Sequence, residues 1–176
     1  MSFRLDPWPY PRLFAHRGGG SLAPENTLAA MRTGQAEGYR AVEFDVKLSR
    51  DNLAILLHDD TVDRTTDGHG PARTMSYGEL ALLDAGRWHS EAFRFEPIPR
   101  FDGVAWHLRR AGMLANVEIK PCPGREVETG ERVAALCAEI WQDAAVPCLV
   151  SSFSLEALRA AHRVAPRLPL GWLVKT

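Results

Sequence analysis

The chain has 176 residues, enough for one domain with a substantial core. Its 21 Lys and Arg against 22 Asp and Glu leave a net charge of −1, and 45% hydrophobic with 24% charged residues is a globular mixture. These values argue against a basic nucleic-acid-binding surface and against intrinsic disorder. No apolar run reaches the roughly 18 residues of a membrane span, and Met1–Asp6 lacks an apolar leader segment, so the expected compartment is the cytoplasm. Cys122, Cys137 and Cys148 have neither zinc-site spacing nor disulfide-scaffold density and are read as reduced thiols.

Short apolar runs alternate with helical patterns, which predicts an α/β fold on parallel strands. Leu13-Phe14-Ala15 is the first strand, followed by His16-Arg17 and the Gly18-Gly19-Gly20 loop. Pro24-Glu25-Asn26-Thr27 opens a helix that ends near Gly38, because proline suits the first helical turn and a carboxylate there meets the positive dipole end. Ala41 to Val46 and Leu53 to Leu57 are strands separated by the polar turn Ser49-Arg50-Asp51-Asn52. A parallel crossover normally needs a dozen or more residues, and this connection offers about half of that. Between His58 and about Asp102, aromatic residues punctuated by Gly and Pro predict an inserted subdomain over 59–102, helical only at Ser76 to Leu83. Leu114 to Ile119 is the next strand, and Val133, Leu136, Cys137 and Ile140 share one helix face. Cys148 to Val150 is a strand, Ser154 caps a helix running to about Val164, and Leu168 to Val174 is the last strand.

Strand periodicity places Glu43 and Asp45 on one face of the second strand, and Asn116, Glu118 and Lys120 on one face of a later one. Covered parallel strands would bring three carboxylates into a partly buried place, where a cation is needed to hold them together. Oxygen-only ligation selects a hard ion, Mg²⁺ or Ca²⁺, with Mn²⁺ as an alternative. His16 and His58 each follow a strand, where barrels of alternating strands and helices carry their chemistry, and an imidazole pair can supply a base and an acid near neutral pH. Arg17 and Lys120 flank the same positions and suit a phosphoryl group, although either could simply neutralise a carboxylate. His69, His89, His107 and His162 lack this placement and are assigned to the surface or to packing.

These segments together resemble the glycerophosphodiester phosphodiesterases, a branch of the phosphatidylinositol-phospholipase-C-like barrels. The matching stretches are Ala15-His16-Arg17-Gly18, Pro24-Glu25-Asn26-Thr27, Val42-Glu43-Phe44-Asp45-Val46, His58-Asp59 with Asp63-Arg64-Thr65-Thr66, Val117-Glu118-Ile119-Lys120 and Ser151-Ser152-Phe153. The resemblance implies a (β/α)₈ TIM barrel with a small inserted subdomain after the third strand, and 1–176 as one such domain that stops after about six strands. It also implies hydrolysis of a glycerophosphodiester to sn-glycerol 3-phosphate and an alcohol. His16 and His58 become the acid/base pair, with the two roles unassigned between them. Glu43, Asp45 and Glu118 become the divalent-metal ligands, and Arg17 and Lys120 the phosphate contacts. Glu25 supports the first-strand His-Arg pair, with metal ligation as the alternative. Two departures stand out: Arg100-Phe101-Asp102 follows Ile98-Pro99 where the family has a small polar residue and a Leu, and the later strands have no counterpart after Thr176. The competing readings are a lysophospholipid or phosphoinositide phosphodiesterase and a non-catalytic phosphate-ester-binding relative. The expected partner is a small-molecule substrate, with no nucleic acid and no membrane span; the oligomeric state is left open.

Overall fold

The computed structural model describes residues 8–175; the Met1–Asp6 start lies outside them. Five strands form one sheet: β1 Ala41–Leu48, β2 Ala54–Leu56, β3 Leu114–Ile119, β4 Leu149–Ser152 and β5 Leu170–Trp172, in the order β2-β1-β3-β4-β5. Pairing of β1 with β3, β3 with β4 and β4 with β5 is parallel. The helices are α1 Leu28–Ala36, α2 Tyr77–Leu80, α3 Phe101–Arg110, α4 Glu126–Ile140 and α5 Leu155–Val164. Each long helix presents a stripe to the sheet. Phe101, Val104, Ala105 and Leu108 of α3 and Val133, Cys137 and Ile140 of α4 are fully buried against Phe44, Val46, Val117 and Val150. All three cysteines are buried and free.

The short connection after β1 is a hairpin. β2 runs antiparallel to β1, with Val46 opposite Leu56 and Leu48 opposite Ala54, so the expected parallel crossover is replaced by a tight return. The turn is held by its own polar groups: Leu53 N–H donates to Ser49 Oγ at 3.0 Å, Ser49 Oγ reaches Asp51 at 2.7 Å, and Asn52 takes φ +62°. Arg125, preceding α4, donates to Ser49 O at 2.7 Å and also bonds Asn52. The first predicted strand is reduced to one parallel bridge, Ala15 with Val42, on the same edge of β1 that β2 occupies further along.

Two helix expectations change. α1 begins at Leu28 rather than in the Pro24 turn, with Thr27 as N-cap accepting from Ala30 N–H at 3.1 Å. Asn26 at φ +58° cannot be helical, and its side chain is used elsewhere. α3 was not expected, and Phe101 at its start belongs to the main core. Between β2 and α3 the chain builds a second small core from Ile55, Leu57, Val62, Ala72, Leu80, Ala85 and Ile98. Close packing of the first loop on α1 requires two glycines: a Cβ on Gly18 of the loop would meet Ala30 Cβ at 2.9 Å, and one on Gly34 of α1 would meet Gly18 O at 2.1 Å. Among the described residues no helix is long and apolar enough to cross a membrane.

Candidate active site

Because successive strand residues alternate faces, Glu43 and Asp45 of β1 project together, and parallel register sets Asp45 beside Glu118 of β3. The ligand oxygens of Glu43, Asp45 and Glu118 all lie within 4.8 Å of one another. The Asp45 side chain is 2% exposed, Glu43 13% and Glu118 12%, so water screens them poorly. Burial first, then the charge of Asp45 and, to a smaller extent, that of Glu118, push the Glu43 carboxyl up to about 8, against the pull of the Arg17 N–H and guanidinium. Three oxygen donors at this spacing, one of them reluctant to ionise alone, fit a hard divalent cation, whose charge would favour all three carboxylates.

Cations surround the cluster without filling it. Lys120 Nζ lies 3.3 Å from Glu118 and 3.8 Å from Asp45, and 5.9 Å over the Phe153 ring. Arg17, at φ +52°, donates its backbone N–H to Glu43 at 3.0 Å, while its Nε stands 3.6 Å from Asp45 without a hydrogen-bond partner. Asn26 donates to the Asp45 carboxylate at 2.8 Å and accepts the Asp45 N–H at 3.0 Å, fixing both ends of that residue. This was not read from the sequence, although Asn at a helix entrance is a signal for side-chain turn bonding.

His16 follows Ala15 and is level with Glu43; its Nε2 is 3.9 Å from the Glu43 carboxylate and its side chain is 69% exposed. His58 arrives by a different route. Leu57 N–H donates to Asp45 O at 3.2 Å, so the antiparallel return of β2 carries the next residue back to the level of the carboxylates. His58 Nδ1 is 2.6 Å from Asp59 Oδ1. The Asp59 carboxyl is held down to about 2, chiefly by hydrogen bonding from Arg64 and also by His58. Glu25 does not reach the carboxylate cluster: it binds Arg17 at 2.6 Å and Arg64 at 2.8 Å, and although burial opposes it, these arginines keep it below the usual glutamate range. Asp59 and Arg64, quoted in the matching stretches without a role, and the buried Lys47 are the groups that the sequence does not assign. Lys47 continues the Glu43-Asp45 face, and its ammonium bonds the Asp59 carbonyl and lies 3.4 Å from Asp60.

The other histidines stand apart. His69 meets Asp63 at 3.3 Å, His89 meets Ser21 O at 3.0 Å, His107 is on α3 and His162 on α5. A cleft of about 320 Å³ opens beside Glu118, Lys120, Ser152 and Phe153, large enough for a small ester. A more apolar hollow of about 430 Å³, lined by Trp141, Pro147, Ala165 and Leu168, lies at the opposite end of the strands and holds none of these groups.

Parallel strand-helix units with polar residues gathered where the strands end, in an open sheet of five strands, form part of a TIM-barrel fold, as in the solved structures that superpose on the chain. A phosphodiesterase of Oleispira antarctica, solved with the product sn-glycerol-3-phosphate, superposes with TM-score 0.86 at 38% identity over 94% of this chain and 67% of that one. A glycerophosphodiester phosphodiesterase structure from Agrobacterium tumefaciens gives 0.77 at 34% identity, over 88% and 63%. The chain belongs to the glycerophosphoryl diester phosphodiesterase family, whose model matches residues 16–176. Among curated relatives, YhdW of Bacillus subtilis is 34% identical over 89% of this chain, and a Caldanaerobacter subterraneus glycerophosphodiester phosphodiesterase is 35% identical over 92%. The chain spans 63% and 65% of the length of those two proteins.

Proposed function

We propose that the protein hydrolyses glycerophosphodiesters to sn-glycerol 3-phosphate and an alcohol, using a carboxylate-bound divalent metal and two histidines. The observation that carries this reading is the three-carboxylate cluster, flanked by Arg17 and Lys120 and approached by a histidine from each of two loops. The product bound to the Oleispira relative supports the substrate class. Glu43, Asp45 and Glu118 would hold the cation, Mg²⁺, Ca²⁺ or Mn²⁺, whose chemistry when bound is Lewis-acid stabilisation of charge on a phosphate oxygen. Lys120 and Arg17 orient the phosphoryl group between them, the first as a point charge and the second through its planar guanidinium. One histidine takes a proton from the nucleophile, water or the neighbouring glycerol hydroxyl, while the other protonates the departing alkoxide. For His58 the working atom is Nε2, since Nδ1 is committed to Asp59. Glu25 acts as a support for Arg17.

Residues 59–102, which share a small core with Ile55 and Leu57, are proposed as the inserted subdomain that covers the alcohol side of the diester and shapes headgroup preference. The free thiols suit the reducing cytoplasm. The test is release of glycerol 3-phosphate from glycerophosphocholine, glycerophosphoethanolamine and glycerophosphoglycerol with each metal and with chelator. His16→Ala and His58→Ala should each lower turnover by about 10²- to 10⁴-fold. Activity insensitive to chelation, or both variants near full rate, would refute the reading.

A further inference from the structure

We propose that Arg64 is a positioning residue that locks His58 through Asp59 and couples it to Arg17 through Glu25. This rests on the acid/base reading of His58. His58 sits just beyond the end of β2, where no ladder bond fixes it, and its orienting carboxylate is the next residue of the same loop. A histidine held only by its own neighbour would move with that neighbour. Arg64 removes the freedom. Its Nε and one terminal nitrogen grip both Asp59 oxygens at 2.6 and 3.2 Å, and its two terminal nitrogens grip both Glu25 oxygens at 2.8 Å each. Glu25 lies 39 positions earlier, before α1, and bonds Arg17 at 2.6 Å. One guanidinium therefore ties the return loop to the first loop, so that His58, Asp59, Arg64, Glu25 and Arg17 form a single chain of charge-assisted bonds ending at the carboxylate cluster.

Stability alone does not account for this arrangement. The Arg64 side chain is 46% exposed, so water screens its pairs, and whatever a forked network adds to folding does not require that one of its carboxylates sit on the His58 ring. What a double fork supplies is angle: both carboxylates are fixed in the plane of one rigid group, which a lysine cannot reproduce. An acceptor fixed at Nδ1 in turn keeps the ring proton there and leaves Nε2 as the working nitrogen.

The test uses Arg64→Ala, Arg64→Lys, Asp59→Asn, the Asp59→Asn/Arg64→Ala double variant and His58→Ala, with ¹⁵N-labelled histidine. Arg64→Ala and Arg64→Lys should each lower kcat about 10- to 100-fold, in the range seen when a supporting group behind a site residue is removed. Millimolar guanidinium should restore part of the Arg64→Ala loss and none of the Asp59→Asn loss. In the Asp59→Asn background, removing Arg64 should cost clearly less than in the wild type, because the arm that reaches the His58 ring is already lost and only the Glu25–Arg17 arm remains. The His58 ring-nitrogen signals should shift from a single Nδ1-protonated form in the wild type towards a tautomer mixture in both Arg64 variants. Unchanged ring signals in a folded Arg64 variant overturn the proposal, whatever happens to kcat. Unchanged kcat in Arg64→Lys with an inactive His58→Ala overturns it while leaving the acid/base reading intact. A fully active His58→Ala removes that reading and this one together. If Arg64→Ala does not fold, Arg64→Lys carries the same readouts.

Discussion

Glu43→Gln should make the metal-free protein more stable at high pH and unable to bind the metal tightly. Glu43 is 13% exposed, lies within 4.8 Å of two other carboxylates and has its carboxyl pushed from the ordinary 4.5 to about 8. The unfolded chain ionises this group near its ordinary value, whereas the metal-free fold keeps the proton until about pH 8. Its contribution is therefore fully present below the unfolded pKa and is lost as pH rises through the folded one. Across that window the slope is about 1.4 kcal/mol per pH unit, so from about pH 5 to pH 8 the loss approaches about 4 kcal/mol. For a chain of this size that is about 8 to 16 °C in Tm. Glutamine keeps the shape and still accepts the Arg17 N–H, but it has no proton to lose. Thermal unfolding under chelation should show the two curves converging at low pH and separating steadily towards pH 8, with the glutamine variant higher. Adding Mg²⁺ or Ca²⁺ should then raise the wild type alone. Parallel pH dependences in the metal-free state would refute the account of Glu43, and equal metal stabilisation would refute its role as a ligand.

Asn26→Gly keeps the backbone at φ +58° while removing both bonds to Asp45, and should weaken metal affinity about 10- to 100-fold by calorimetric titration with little change in fold. Gly34→Ala forces a Cβ to within 2.1 Å of Gly18 O, so α1 must shift off the first loop; urea unfolding should show a loss of about 1–3 kcal/mol. Lys47→Met leaves the Asp59 carbonyl without its buried donor and should cost about 1–3 kcal/mol by the same measurement.

Alternation along Val42–Val46 and Asn116–Lys120 was enough to place the acids of each strand on one face, because a period of two leaves side chains no choice of face, and pairing of the two strands puts all three on the same face of the sheet. The hairpin was also written in the sequence: Ser49–Asn52 is a four-residue polar turn between two apolar runs, too short for a crossover. Reading it as parallel let the alternating architecture override a local signal. α3 was legible too, since Phe101, Val104, Ala105 and Leu108 fall at i, i+3, i+4, i+7, but Pro97 and Pro99 drew attention to the loop before it. The Arg64 bridge was not legible. Asp59 and Arg64 can be quoted as a motif, yet nothing in their spacing says that the guanidinium reaches Glu25, because that contact exists only after the hairpin has folded back.

That same hairpin sets an uneven tolerance for changes in length. His58 reaches the carboxylates only because each residue of β2 has a fixed partner on β1, and side-chain direction reverses with every residue. Adding or deleting one residue between Ser49 and Leu53 would present the histidine to the wrong side wherever the change slipped β2 by one position on β1. Between Arg64 and α3 the loops are under no such counting rule, and they can grow or shrink with little cost in closure entropy. Length variation among homologues should therefore collect between Arg64 and α3 and be nearly absent from the few residues around Asp51.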